Sequence, residues 1–133
     1  MSDVAAVTIK GVCLDTAGRV LLCRNGRAEW ELPGGRPHVG EPFPTCLVRE
    51  IAEETGLQAE VRELVAAYPY EVLPGRWVNV IIYGCQTLNG AAPSASEEHE
   101  QVAFQDLAEI DADQLPSGYR HAILAWMGTG QRQ

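Results

Sequence analysis

The apolar positions of the chain follow two rhythms, one of period two and one close to 3.6, and the elements follow from where each holds. Val4 to Leu14 (VAAVTIKGVCL) is rich in β-branched residues and reads as a strand. Asp15-Thr16-Ala17-Gly18 reads as a turn, and Val20 to Arg24 (VLLCR) as the returning strand of a hairpin, ended by Asn25-Gly26. Glu29 to Gly35 (EWELPGG) reads as a short extended piece closing on a Pro-Gly-Gly loop. The helical rhythm takes over from Thr45 to Thr55, where Leu47, Val48, Ile51 and Thr55 form one apolar stripe. Pro42 and Pro44 stop that helix from beginning much earlier, with Thr45 as cap or Pro44 in the first turn. Gly56 can take the left-handed conformation that ends it, with Leu57 packing back.

Gln58 to Val72 reads as extended for much of its length. Arg76 to Gln86 (RWVNVIIYGCQ) is apolar on both faces, which predicts a central strand. Asn89 to Glu98 is small, polar and partly acidic, hence a loop; Val102 to Leu107 reads as a last strand. Tyr119 to Met127 reads as a terminal helix with Ile123, Leu124 and Met127 on one side. Several strands interrupted by two separated helices indicate an α/β or α+β sandwich.

Composition narrows the function classes. A length of 133 residues suits one domain, and 46% apolar with 21% charged residues is ordinary for a globular chain. No apolar run approaches the roughly 20 residues of a membrane span. Met1-Ser2-Asp3 lacks the basic start of a signal peptide, so a cytoplasmic location is expected. The net charge of -8 argues against a nucleic-acid polymer as partner, since such a surface needs phosphate-neutralising cations. A small phosphorylated substrate remains compatible, because a bound metal reverses the local field. Cys13, Cys23, Cys46 and Cys85 form no CxxC pair and, with three histidines, no zinc spacing; they read as reduced core residues.

The chemistry lies on the predicted helix. Glu50, Glu53 and Glu54 stand at i, i+3 and i+4, so three carboxylates share one patch, with only Arg49 close by to offset them. Such a patch is either solvated surface or a site for a hard cation such as Mg²⁺, which takes carboxylate oxygens, water and substrate phosphates.

The flanking residues decide between the two. Gly35, Glu41, Arg49, Glu50, Ile51, Glu53, Glu54, Gly56 and Leu57 fill every fixed position of G-x5-E-x7-R-E-U-x-E-E-x-G-U, where U is aliphatic. This stretch resembles the Nudix box of the Nudix hydrolases. Trp30 to Gly35 and the downstream EEHEQVAFQDLAEI are also similar to that family. The resemblance implies an α/β/α sandwich around a mixed sheet and hydrolysis of a nucleoside diphosphate linked to another group X, with Mg²⁺ or Mn²⁺. It implies Glu50 and Glu54 as metal ligands, Glu53 as ligand or general base, and the backbone carbonyl of Gly34 or Gly35 as a further ligand. Arg49 would hold the glutamates, Glu41 would brace the loop, and Gly56 would be structural.

Further candidates are weaker. In similar proteins an acid from the region of Glu97, Glu98 and Glu100 often completes the metal shell or acts as base; here Glu98 is preferred, with a solvated acidic loop the alternative reading. Arg24 is a candidate phosphate ligand, and Trp30 and Tyr70 are candidates to stack on a base. His38 is a variable position of the box. Pro44 and Cys46 depart from the acid and small residue that often open the family's helix. Pro74 falls near a proline of ADP-ribose hydrolases and tilts the substrate toward nucleotide sugars over nucleoside triphosphates. The competing readings are a catalytically silent domain that senses a nucleotide ligand and a metal-buffering scaffold; the intact glutamate set favours the enzyme. Oligomeric state is left open by the sequence, with a homodimer as one candidate, since homodimers are common in the family and dimers are the commonest oligomers.

Overall fold

The computed structural model describes residues 5–24, 26, 29–88, 92–94 and 101–129. Its strands are β1 (Ala6–Leu14), β2 (Val20–Arg24), β3 (Trp30–Glu31), β4 (Gly34–Gly35), β5 (Ala59–Leu73), β6 (Arg76–Thr87) and β7 (Gln101–Gln105). The helices are α1 (Phe43–Thr55) and α2 (Ser117–Thr129), with two short 3-10 turns at Leu107–Glu109 and Ala112–Gln114. The strands make one sheet in the order β3-β2-β1-β6-β5, with β4 also paired to β1 and β7 to β2. β1 and β6 run parallel while the remaining pairs are antiparallel, so the sheet is mixed. β6 lies between β1 and β5, the interior place its two apolar faces predict.

Strand alternation builds two cores. Ile9 and Cys13 of β1 with Leu21 and Cys23 of β2 face α1, meeting Cys46, Leu47 and Ile51. Val12, Leu14, Val20 and Leu22 face the other way, meeting Ala122, Ile123 and Trp126 of α2. One helix per face gives the α/β/α sandwich. Close approach needs glycines: a Cβ at Gly84 would run into the Trp126 ring, whose Nε1–H donates to the Cys85 carbonyl at 3.3 Å. All four cysteines are free thiols in the α1-side core. Among the described residues no helix is long and apolar enough to cross a membrane.

Several expectations shift. α1 begins at Phe43, not Thr45, with Pro42 as an extended N-cap that makes no side-chain bond and Pro44 in the first turn. A proline there lacks only an N–H the helix would not have used. Val48 is 37% exposed, and Cys46 takes its place in the buried stripe. In α2, Leu124 is 52% exposed, and Trp126 and Ala122 face the core beside Ile123. The expected single extended piece at 29–35 is two short strands broken at Leu32-Pro33. The last strand ends at Gln105, before Leu107 enters a 3-10 turn capped by Asp106. β5 is extended throughout and bends at three irregularities in its pairing with β6. Pro74 and Gly75 form the turn between β5 and β6, where Gly75 has φ +78° and donates its N–H to Glu71 Oε2 at 2.8 Å. Turn geometry alone accounts for a proline followed by glycine there.

Candidate metal and phosphate site

The site is built where α1 crosses the β4 turn. Gly56 ends α1 with φ +76°, its N–H returning to the Ala52 carbonyl. This stop, the cap at Pro42 and the core contacts of Leu47 and Ile51 set the helix rotation. That rotation separates the three carboxylates. Glu54 is buried at 5% exposure, Glu50 is partly buried, and the Glu53 side chain is 58% exposed. The expected shared surface patch is therefore a gradient, running from inside the protein to solvent.

Gly34 and Gly35 meet the helix from the sheet. Gly34, at φ +149°, donates its N–H to Glu54 Oε1 at 3.1 Å, and a Cβ on it would collide with the Ile9 carbonyl. A Cβ on Gly35 would sit 2.5 Å from the Glu50 carboxyl carbon. Glycine at 34 lets the turn lie against β1, and glycine at 35 lets it lie against the Glu50 carboxylate. The Gly35 carbonyl is approached by the Cys46 thiol at 3.8 Å, which burial pushes up to about 11 and so keeps protonated.

Arg49 organises the exposed side. Its Nε and Nη2 each donate to Glu41 at 2.8 Å, a bidentate pair. Nη1 donates to Glu50 Oε2 at 3.0 Å and Glu53 Oε1 at 3.2 Å, and Nη2 reaches the Arg36 carbonyl at 3.4 Å. Glu41 also accepts from the His38 N–H at 2.9 Å. These bonds, Arg49 first, lower the Glu41 carboxyl to about 2.

Glu54 is pushed up to about 8, mainly by burial and also by the Glu50 carboxyl in hydrogen-bonding contact with it; the Gly34 N–H and the Lys10 charge oppose the rise. Two carboxyls in contact must share a proton or a cation. Among the described residues no three His, Cys, Asp or Glu side chains already converge on one point. Glu50 and Glu53 turn instead to Arg49. The hard oxygen donors of the Glu50–Glu54 pair, Glu54 buried and Glu50 partly buried against the Gly34–Gly35 backbone, nevertheless suit Mg²⁺ or Mn²⁺, which need few protein ligands.

Other candidates fall elsewhere. Trp30 packs in the α2-side core at 6% exposure, with the Arg24 guanidinium 5.3 Å from its ring centre. Tyr70 stands 42% exposed on β5. His38 is exposed, its Nδ1 4.0 Å from Glu41. Glu97, Glu98 and Glu100 lie outside the described residues. Sequence reasoning missed Lys10, which enters beside Glu54 from β1; its signal was a lone charge within an apolar strand.

The chain is similar to known proteins in sequence and in fold. The NUDIX domain model matches residues 5–126. A MutT-like protein of Streptomyces ambofaciens is 33% identical over 93 residues, 69% of this chain and 58% of its own length. The CTP pyrophosphohydrolase of Escherichia coli (strain K12) is 27% identical, covering 83% of this chain and 82% of its own. The crystal structure of a UDP-X diphosphatase superposes with a TM-score of 0.80 at 21% identity, over 99% of this chain and 66% of that one, a likeness of fold. The chain thus spans little more than half the length of the Streptomyces relative. With the box geometry assembled on α1 and the match running through the sheet and into both helices, the chain belongs to the NUDIX domain family.

Proposed function

We propose that this protein is a divalent-metal-dependent pyrophosphohydrolase that cleaves a nucleoside diphosphate linked to another moiety. The observation that carries the reading is the Glu50–Glu54 carboxyl pair, held against the Gly34–Gly35 backbone with Arg49 beside it. Glu50, Glu54 and the carbonyl of Gly34 or Gly35 would hold Mg²⁺ or Mn²⁺, which would supply charge neutralisation for the diphosphate and a more acidic water. Glu53, the exposed carboxylate, is a further ligand or the base that takes the water's proton, with Glu98 the other candidate base. Arg49 fixes the carboxylate orientations and Glu41 fixes Arg49. Arg24, whose guanidinium lies over the Trp30 ring, is kept as the candidate phosphate contact, and Tyr70, exposed on β5, as the candidate to stack on a base.

The substrate is a small nucleotide met in the cytoplasm, not a nucleic-acid polymer, because the net charge of -8 leaves no basic track. Nucleotide sugars such as ADP-ribose and nucleoside triphosphates are the two candidate classes; the CTP pyrophosphohydrolase relative fits the second, and the Pro74 hint toward the first is accounted for by turn geometry. The test compares kcat/KM for ADP-ribose, nucleotide sugars, nucleoside triphosphates and 5′-triphosphorylated RNA, with Mg²⁺ and after chelation. One of these two nucleotide classes should lead, and chelation should abolish turnover. Hydrolysis undiminished by chelation, or RNA ahead by tenfold, would refute the reading. Binding without turnover of any substrate would instead identify a sensor.

A further inference from the structure

Lys10 is the only lysine among the chain's ten Lys and Arg residues, and it is buried. Its strand neighbours Val12 and Leu14 face the α2-side core, so an apolar residue would suit position 10. Burying an ammonium costs several kcal/mol unless it is paired. Here Nζ donates to the Leu32 carbonyl at 3.1 Å and to Glu31 Oε1 at 3.3 Å. The adjoining backbone holds the next residues of the same turn. The Gly11 N–H donates to the Pro33 carbonyl at 3.0 Å, and Lys10 pairs with Gly34 across β1 and β4. Gly34 in turn donates to Glu54. One side chain therefore ties down the start of the turn whose end contacts the acidic pair. The charged or titratable groups facing it are Glu31 from β3, Glu54 from α1 and Tyr119 from α2, and together they hold its pKa above the ordinary value against the pull of burial.

Resting on the metal-site reading above, we propose that Lys10 is a positioning residue: its ammonium holds the Leu32–Gly35 turn in the shape that presents a glycine carbonyl and Glu54 to a divalent cation. A filler of the core would affect only stability. A positioning residue must affect metal binding and the order of the turn.

The experiment titrates the metal-free full chain with Mn²⁺ and measures amide hydrogen exchange at residues 34 and 35, for the parent, K10M and K10R, below their melting temperatures. K10M should bind Mn²⁺ about 10–100-fold more weakly and exchange faster at both glycines, with K10R recovering most of the loss. K10M binding within threefold of the parent overturns the proposal. A parent that binds no Mn²⁺ overturns the metal-site reading itself and this inference with it. If K10M does not melt cooperatively, the parent decides. Its single side-chain ammonium ¹⁵N signal should move on addition of Mg²⁺, and a signal unmoved at saturating Mg²⁺ overturns the proposal.

Discussion

Glu54 should make the stability of the metal-free protein fall as pH rises, against the trend of most acidic residues. Its pKa rises from 4.5 to about 8 on folding, first because it is buried and then because Glu50 adjoins it. A raised folded pKa means the native state holds the proton more tightly than the unfolded chain. The stabilisation is complete below the unfolded value and is lost as pH climbs through the folded one. At about 1.4 kcal/mol per pKa unit, the shift sets a ceiling near 5 kcal/mol. Sharing of the proton with Glu50, and relaxation of the turn once both are charged, reduce this to roughly 2–3 kcal/mol. For a chain of this size that is on the order of 10 °C in Tm. The assay is thermal melting in a chelator from pH 5 to 9, for the parent and Glu54→Gln. The parent's Tm should fall across this window relative to the variant, whose neutral amide has no proton to lose. Mg²⁺ should reduce the parent's fall, because it binds the ionised pair and releases about one proton per site below pH 8. Parallel Tm profiles for the two proteins would refute the assignment of the buried charge to Glu54.

Two other outcomes separate chemistry from architecture. Glu53→Gln should lower kcat by about 100-fold, close to 3 kcal/mol of barrier, with Tm unchanged because the side chain is exposed; a variant turning over within threefold of the parent leaves Glu53 no catalytic role. Gly34→Ala should cost roughly 2–4 kcal/mol of stability, since the new Cβ meets the Ile9 carbonyl at φ +149°, and a denaturation midpoint equal to the parent's would contradict that geometry.

Local chemistry alone determined much of this protein. Helical spacing from Leu47 to Thr55, bounded by Pro42 and Gly56, requires α1 within two residues, because the signals for a helix and its stop act between near neighbours. The two apolar faces of Arg76–Gln86 require an interior strand, and the nine fixed residues of the box identify the family. Which glutamate is buried was not legible. Glu50, Glu53 and Glu54 are equivalent by spacing, and only the seating of α1 on the sheet, with Leu47 and Ile51 as its contacts, sends Glu54 inward and leaves Glu53 in solvent. The same holds for Leu124 and Trp126, whose exposure depends on the hollow at Gly84 in β6, 42 residues from Trp126 along the chain. Lys10 reads as a blemish in an apolar strand until β4 pairs with β1 and brings Leu32, Gly34 and Glu54 around it. Burial and charge pairing depend on contacts between segments distant in sequence, and periodicity along one segment carries no record of them.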